Sequence, residues 1–475
     1  MADFTRPTPT DPEDVARWEE TQQRRRMLSG SRRWRADLEK QLTQSLGIQR
    51  AEAIGRVDTS SNAFASACTS LAVLYDVEPE ITCKLGAGFA ARMTEILQDA
   101  GWAALMQDFQ RQTLGLREMI MRVNAVMLPE DLVRIVLRPV TPDCVVATPD
   151  PETPYRMATY HEVRQQDAAG RLTWTWDMID PGAKSFVVVD RDGNDRTADV
   201  HGVTYQGESY PWVSQTGAHI IPAVLYHAQA GAVLWDAYTW GELVDGTLEL
   251  GVDRSAYHHS LRQAAYAQRY MVDADIPSDE SSTGRSFVAA DPSVVLRLER
   301  SEPSVQPTIG QWSPPFDPSV MQAAVSEDER RLISSAGIPE ADVLRSSSDP
   351  RSGVALVQDR ESRKQAARRY EQVFRRGDLE LLRVIAIAAN SARRSKGLTD
   401  ILPESGWGIN YRALPPTEAE LTQAEQRVLA QLRDGLISRA EARAQLKGET
   451  IDAARAAIAA IDAERAAASN QEITP

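Results

Sequence analysis

The sequence predicts an α+β fold, and three observations carry that prediction. Small and apolar residues recur at helical spacing between residues 14 and 121 and again from residue 317 onward. Between residues 132 and 226, short β-branched and aromatic runs alternate with Gly, Asp and Pro turns, as in antiparallel sheet. At 475 residues the chain exceeds what one simple core encloses, so several subdomains are expected. No internal repeat runs through it.

Residues 1–12 have the Pro/Thr/Asp-rich composition of a mobile tail. Residues 14–46 read as mostly helix, with Gly47 as a stop. Arg24-Arg25-Arg26 and Arg32-Arg33-x-Arg35 lie there among Glu19, Glu20, Asp37 and Glu39. Two readings stay open for these clusters: a solvated helix face, or a basic arm touching DNA or a neighbouring subunit. Ala63, Ala67, Leu71, Leu74 and Tyr75 place a helix in residues 60–77, which Glu78-Pro79 breaks. Further helices are predicted over 89–97 and 103–121, the second a core helix through Met106, Phe109, Leu114, Met119 and Ile120.

Composition switches near residue 130. Residues 132–137, 144–146, 155–160, 172–176 and 186–189 are strand candidates, continued by 203–205 and 220–226. Residues 190–195 (D-R-D-G-N-D) lack the frame and closing Glu of a calcium loop and read as an Asp-Gly hairpin turn. Residues 235–271 read as helix, with interruptions expected at Gly246 and Gly251. Residues 272–315 change character: Asp273, Asp275, Asp279 and Glu280 make the start acidic, 294–298 is a strand candidate, and Q-W-S-P-P closes the segment. A helix over 317–336 stops at Gly337 and Pro339. Ser352 is a candidate N-cap for a helix running to Lys396, about 66 Å long if unbroken, with Gly377 as a kink point. Residues 407–411 read as a short strand. The Ala-rich remainder is helical, and Ser438-Arg439-Ala440-Glu441 is a capping box.

Net charge is −14, which disfavours a free-standing nucleic-acid binder with a basic face. It allows a protein that surrounds DNA without gripping it. The three cysteines, Cys68, Cys83 and Cys144, offer no disulfide framework and no C-x-x-C pair. The N-terminus lacks a signal-peptide core and no apolar run is long enough to span a bilayer, so a soluble protein without membrane contact is expected. The six histidines include the adjacent His258 and His259, which on a helix point apart and suit one metal poorly. There is no H-E-x-x-H, no G-x-x-x-x-G-K-[S/T] and no G-x-S-x-G, and Gly86-Ala87-Gly88 lacks the third glycine of a dinucleotide fingerprint. No cofactor or metal is expected, and the chain is read as a non-enzyme.

The most informative stretch is S-S-A-G-I-P-E-A-D-V-L-R-S-S-S-D-P-R-S-G-V-A-L-V-Q-D-R, residues 334–360. Helix stop, Gly-Ile-Pro, polar loop, Ser-Gly-x-Ala-Leu and long helix in this order resemble the portal proteins of tailed bacteriophages. The I-P-x-V-x-Y pattern at Ile221–Tyr226 resembles the strand closing a portal wing, and G-L-I-S-R-x-E-A at 435–442 resembles a segment near portal C-termini. The resemblance covers roughly residues 60–465 as an order of elements and is strongest at 316–396 and 406–448.

It implies an N-terminal arm and helix (1–59), a wing with a helical then a β part (60–232), a first stem helix (233–271), a clip (272–315) and a second stem helix (316–337). A tunnel loop (338–352), a long kinked wing helix and strand (353–415) and a helical crown (416–475) complete it. By resemblance Arg345, Ser346, Ser347, Ser348, Asp349 and Arg351 line a DNA channel, and Asp273, Asp275, Asp279 and Glu280 dock partners at the clip. On the long helix, Arg360, Arg363, Lys364, Arg368, Arg375 and Arg376 face either DNA or a neighbouring subunit, or form a solvated face. The implied assembly is a homo-oligomeric ring, a dodecamer, built in the host cytoplasm and resident at one capsid vertex of the virion. Its implied partners are double-stranded DNA, the large terminase subunit, a head–tail connector or adaptor, the major capsid protein and a scaffolding protein. Two other readings remain: a soluble enzyme with an unrecognised site in the β-rich region, and another minor virion structural protein.

Overall fold

The structure is a computed structural model describing residues 12–30, 33–129, 132–168, 171–180, 183–190, 212–231, 233–235, 241–265, 268–272, 274–275, 299–300, 308–312, 317–338, 353–412 and 418–471. It is a mixed helix-and-sheet protein, as the sequence predicts. The chain divides into two compact units, Met1–Arg345 with Ala366–Tyr411, and Ser346–Gln365 with Arg412–Pro475.

The first unit opens with helices α1 (Pro12–Leu28), α2 (Arg35–Leu46), α3 (Ile48–Ile54) and α4 (Ala63–Leu71). Gly47, at φ 82°, separates α2 from α3. The Asn62 side chain caps α4 by accepting from the Ala65 amide at 2.9 Å. Strand β1 (Glu80–Cys83) and helices α5 (Ala87–Asp99) and α6 (Trp102–Leu116) follow. The helix predicted to residue 121 stops five residues earlier. Arg117 adopts φ 76°, and the chain turns directly into β2 (Glu118–Met127). The first six residues of β2 are buried. A strand buried on both faces gives a continuous apolar run, which periodicity cannot separate from a core helix.

The sheet region continues with β3 (Val133–Val140), β4 (Val145–Pro149), β5 (Met157–Ala168), β6 (Arg171–Asp180), β7 (Ala183–Asp190), β8 (Trp212–Val213), β9 (His219–Ile220) and β10 (Ala223–His227). Strands β10, β2 and β3 form one antiparallel sheet in that order, and β4 to β7 form an antiparallel meander. The Asp-Gly turn beyond Asp190, the strand candidates at 203–205 and 294–298, and the tail 1–11 lie outside the described residues.

Helix α7 (Gly241–Ala265) precedes four short strands, β11 (Gln268–Val272), β12 (Ala274–Asp275), β13 (Glu299–Arg300) and β14 (Thr308–Trp312), and then α8 (Pro318–Ser335). The predicted helix over 235–271 therefore ends at Ala265, and Met271 belongs to a strand paired with Ile309. Gly246 and Gly251 do not interrupt α7. A Cβ on Gly246 would sit 2.5 Å from Leu332 of α8, and one on Gly251 would sit 2.8 Å from Leu38 of α2. Both glycines let neighbouring helices approach closely. The antiparallel α7–α8 pair is also tied by Arg254 to Glu329 at 2.9 Å. Asp317 caps α8 through the Ser319 amide at 2.9 Å.

Helix α9 (Gly353–Arg394) spans 42 residues and runs without a break through Gly377. Strand β15 (Trp407–Asn410) returns to pair with β1, joining parts of the chain far apart in sequence. One large apolar core gathers Trp34, Phe64, Phe109, Phe374 and Ile385. In the second unit, α10 (Glu418–Arg433), α11 (Arg439–Lys447) and α12 (Ile451–Gln471) are the C-terminal helices. Ser438 and Glu441 form the predicted capping box, with bonds of 3.2 and 2.7 Å.

Candidate functional site

The loop residues Arg345, Ser346, Ser347, Ser348, Asp349 and Arg351 lie outside the described residues, as do Pro339 and Ser352 and, in the segment after α7, Asp273, Asp279 and Glu280. Asp275 falls in β12, paired with Glu299 of β13. Arg360 and Arg363 lie on α9, but their side chains are outside the described set. Lys364 is half-buried, and Arg368 and Arg369 are exposed.

The rest of the basic side of α9 borders a cleft of 530 Å³ lined by Gln372, Arg375, Arg376, Leu379, Glu380 and Arg383, and by Glu404 to Trp407 of the following loop. At 100° per residue these helix positions share one face. Arg375 is ion-paired with Glu371 one turn back and lies over the Tyr411 ring at 5.8 Å. Arg376 stacks on Tyr155 at 3.6 Å from the ring centroid. Arg383 meets Glu380 at 3.0 Å, and Glu380 also lies 3.4 Å from Arg156. Arg368, Arg369 and Arg376 form no ion pair among the described residues. The face is therefore cationic but interleaved with acids.

The opposite side of α9 holds a buried polar cluster that sequence reading missed. Asp378 is 1% exposed. Its Oδ2 accepts from the Tyr75 hydroxyl at 2.8 Å and from the Tyr411 hydroxyl, and its Oδ1 accepts from Tyr226 at 2.9 Å. Burial pushes the carboxyl up to about 6, although the three hydroxyls pull the other way. The same burial, with Asp378 beside them, holds all three phenols above their ordinary range. Gly377 makes room for this arrangement, because a Cβ there would lie 2.5 Å from the Tyr226 ring. The predicted kink point is thus a packing site within a continuous helix. The signal available was a Gly-Asp pair between the core positions Phe374 and Leu381. Asp378 instead reads, by composition alone, as one more acid balancing the basic face.

A second buried carboxylate joins the two sheets. Glu162 of β5 is 1% exposed, and its Oε2 accepts from Arg122 at 3.0 Å, Arg138 at 2.5 Å and the Tyr160 hydroxyl at 2.7 Å. Arg122 and Arg138 are register partners on β2 and β3, so both arginines converge on one acid. Within the basic cluster of α1, Arg24 turns inward in the same way. Arg24 is fully buried, donating to Glu20 at 2.9 Å and to the Gly115 carbonyl at 3.2 Å. Arg25 meets Asp143 at 3.0 Å, and Arg26 pairs with Asp37 at 2.6 Å. Arg24 therefore fits neither a solvated face nor a DNA arm, whereas the side chains of Arg25 and Arg26 stay 50% and 40% exposed while pairing with Asp143 and Asp37.

No protein-family model matches the chain, and no curated protein matches its sequence.

Proposed function

We propose that the chain is a portal-type subunit that assembles into a ring at one capsid vertex, where it forms the channel for double-stranded DNA during packaging and ejection. The α/β region would be the wing, α7 and α8 the stem, the short strands between them the clip, and α10 to α12 the crown. The ring would be a dodecamer that docks the large terminase subunit and a head–tail adaptor at the clip and meets capsid and scaffolding protein through the wing. The reading assigns no catalytic step and no cofactor to the chain.

The observation that carries it is the sequence of elements from α7 to α9. Two packed antiparallel helices are joined through a segment whose two ends pair as β11 and β14, and a polar loop and a 42-residue helix follow. That order supports the match made from the loop and helix-start residues 334–360. The acidic net charge of −14 supports a conduit that does not hold phosphate tightly.

Native mass spectrometry with negative-stain imaging of the same sample tests this. Rings of about a dozen copies, with a hole the width of a duplex, are expected. A chain that stays monomeric even with scaffold and capsid protein added overturns the proposal. Deleting Ser346–Ser348 should leave rings intact and impair DNA packaging or retention; normal packaging would remove the tunnel-loop assignment.

A further inference from the structure

The arginine face of α9, which lines the cleft through Arg375, Arg376 and Arg383 and continues to Arg368 and Arg369 beside it, has a chemistry that nothing among the described residues uses fully. Arg368, Arg369 and Arg376 are exposed cations without an ion pair among the described residues, and Arg375 and Arg383 lie on the same face. Arg368 to Arg383 extends about 22 Å along the helix. The Arg376 guanidinium lies over the Tyr155 ring, 3.6 Å from its centroid, a contact that favours one position of the charge at the exposed surface.

Elsewhere in the same unit, α7 presents the opposite pattern. Glu242, Asp245, Glu249 and Asp253 are all exposed, at steps of three, four and four residues, which places them on one stripe about 16 Å long. No cation is ion-paired to any of them among the described residues; Glu249 accepts only from Gln41 at 2.5 Å and Ser45 at 3.3 Å. Partial burial and then neighbouring carboxylates, Glu249 and Asp328, hold Asp253 above the usual range. The stripe repels itself, and a row of cations would relieve it.

We infer that the arginine-lined cleft of α9 receives the acidic stripe of α7 from a second copy of the chain. The two surfaces differ, so the contact is head-to-tail, and repetition of such a contact closes a ring or extends a filament. A DNA backbone fits the cleft less well. Glu371, Glu380 and Glu404 stand among the arginines, and each would oppose a continuous row of phosphates. Discrete carboxylates on a helix can sit between them. The inference rests on the ring reading above and names the contact that builds the ring.

Charge reversal tests it in three mixtures. One variant carries Glu242→Lys, Glu249→Lys and Asp253→Lys; the other carries Arg368→Glu, Arg369→Glu and Arg376→Glu. Each alone should lose self-association at least tenfold, measured by analytical ultracentrifugation in low salt, because like charges now meet. Mixed together, the two should associate again, alternating around the ring, since every contact has regained opposite signs. Raising salt should weaken both wild-type and mixed assemblies. Circular dichroism and melting check that each variant is folded, and the milder Arg→Gln triple gives the same direction if a reversal fails to fold.

Wild-type rings that persist in both single variants overturn this contact and leave the ring reading standing. Rings that persist while the arginine variant alone loses DNA retention assign the face to nucleic acid instead. A wild-type chain that never associates, even with scaffold and capsid protein added, and variants that do not associate when mixed overturn both. Association of the mixed variants without ring closure supports the contact and counts against the ring.

Discussion

The first unit and the C-terminal helices solve the problem of stability in opposite ways. In the first unit, single buried polar groups collect elements from distant parts of the chain: Asp378 joins α9 to Tyr75, Tyr226 and Tyr411, and Glu162 joins β5 to β2 and β3. In the second unit, the described helices bury mainly Val428, Ala442, Ala444 and Ala454, while Leu421, Leu429 and Leu436 stay half exposed or more. Their order comes from local rules, namely alanine-rich helices, a capping box and a left-handed Gly448 at a helix end. Disturbing a long-range polar group should therefore unfold much of the unit, and disturbing a local one should fray a single helix.

The largest expected effect is at Glu162. Glu162→Ala removes the 3.0 Å ion pair of Arg122, which is 4% exposed. Removing one partner of a buried ion pair costs about 3–5 kcal/mol, because the other charge remains desolvated. Urea unfolding should show a shift of that size, with Glu162→Gln losing less. A change below about 1 kcal/mol would mean that water reaches Arg122 and that the sheets are not clamped there.

Asp378 is the next test, and its sign differs from that of an ordinary paired carboxylate. Its carboxyl sits at about 6, above the ordinary 3.8, because desolvation by burial outweighs the three tyrosine hydroxyls. Its contribution to stability is therefore fully present below about 3.8 and is lost as pH rises through about 6. Asp378→Asn keeps a neutral side chain at every pH. The stability difference between variant and wild type should move in the variant's favour by about 2–3 kcal/mol from pH 4 to pH 8. A difference independent of pH would show that the three tyrosine hydroxyls fully replace water around the ionised form.

Gly377→Ala comes third. An alanine gains about 1 kcal/mol of helix propensity over glycine. Here its Cβ would press on the Tyr226 ring, which Phe109 holds from 4.9 Å and whose hydroxyl is fixed on Asp378. Overpacking of this kind costs about 1–3 kcal/mol, so net destabilisation of about 1 kcal/mol is expected. Gly246→Ala is the comparison: its Cβ would meet the flexible end of the Leu332 side chain, which can shift more readily than a hydrogen-bonded tyrosine ring, so the loss should be smaller than at Gly377. If both substitutions stabilise, the tyrosine cluster is loose.

What the sequence made legible follows the same division. The Gly47 stop, the start of α8 and the Ser438 box rest on residues within one turn of each other, and these were readable, whereas the single helix read over 14–46 breaks between α1 and α2 and the one read over 60–77 ends at Leu71. The Gly-Asp pair in α9 was visible, but its meaning lay in Tyr75, Tyr226 and Tyr411, three residues that only folding brings together. The α6 end failed for a related reason: Met119 and Ile120 are apolar in either a buried helix or a strand between β10 and β3, and only pairing decides. The basic face of α9 was legible as a stripe. Which of its arginines already had partners was not, because Tyr155 and Arg156 approach from the β region.

The smallest expected effect lies in the second unit, and it sharpens the contrast. Ser438→Ala removes the acceptor of the Glu441 amide and leaves one more unsatisfied donor at the start of α11, a loss of about 1 kcal/mol. Because that bond is exposed and spans three residues, the loss should stay local. Hydrogen exchange should accelerate in the first turn of α11 and leave α9 and the sheets unchanged. Equal acceleration in the first unit would mean that the C-terminal helices stabilise it through contacts beyond their own turns, and the division between long-range and local stabilisation would fail.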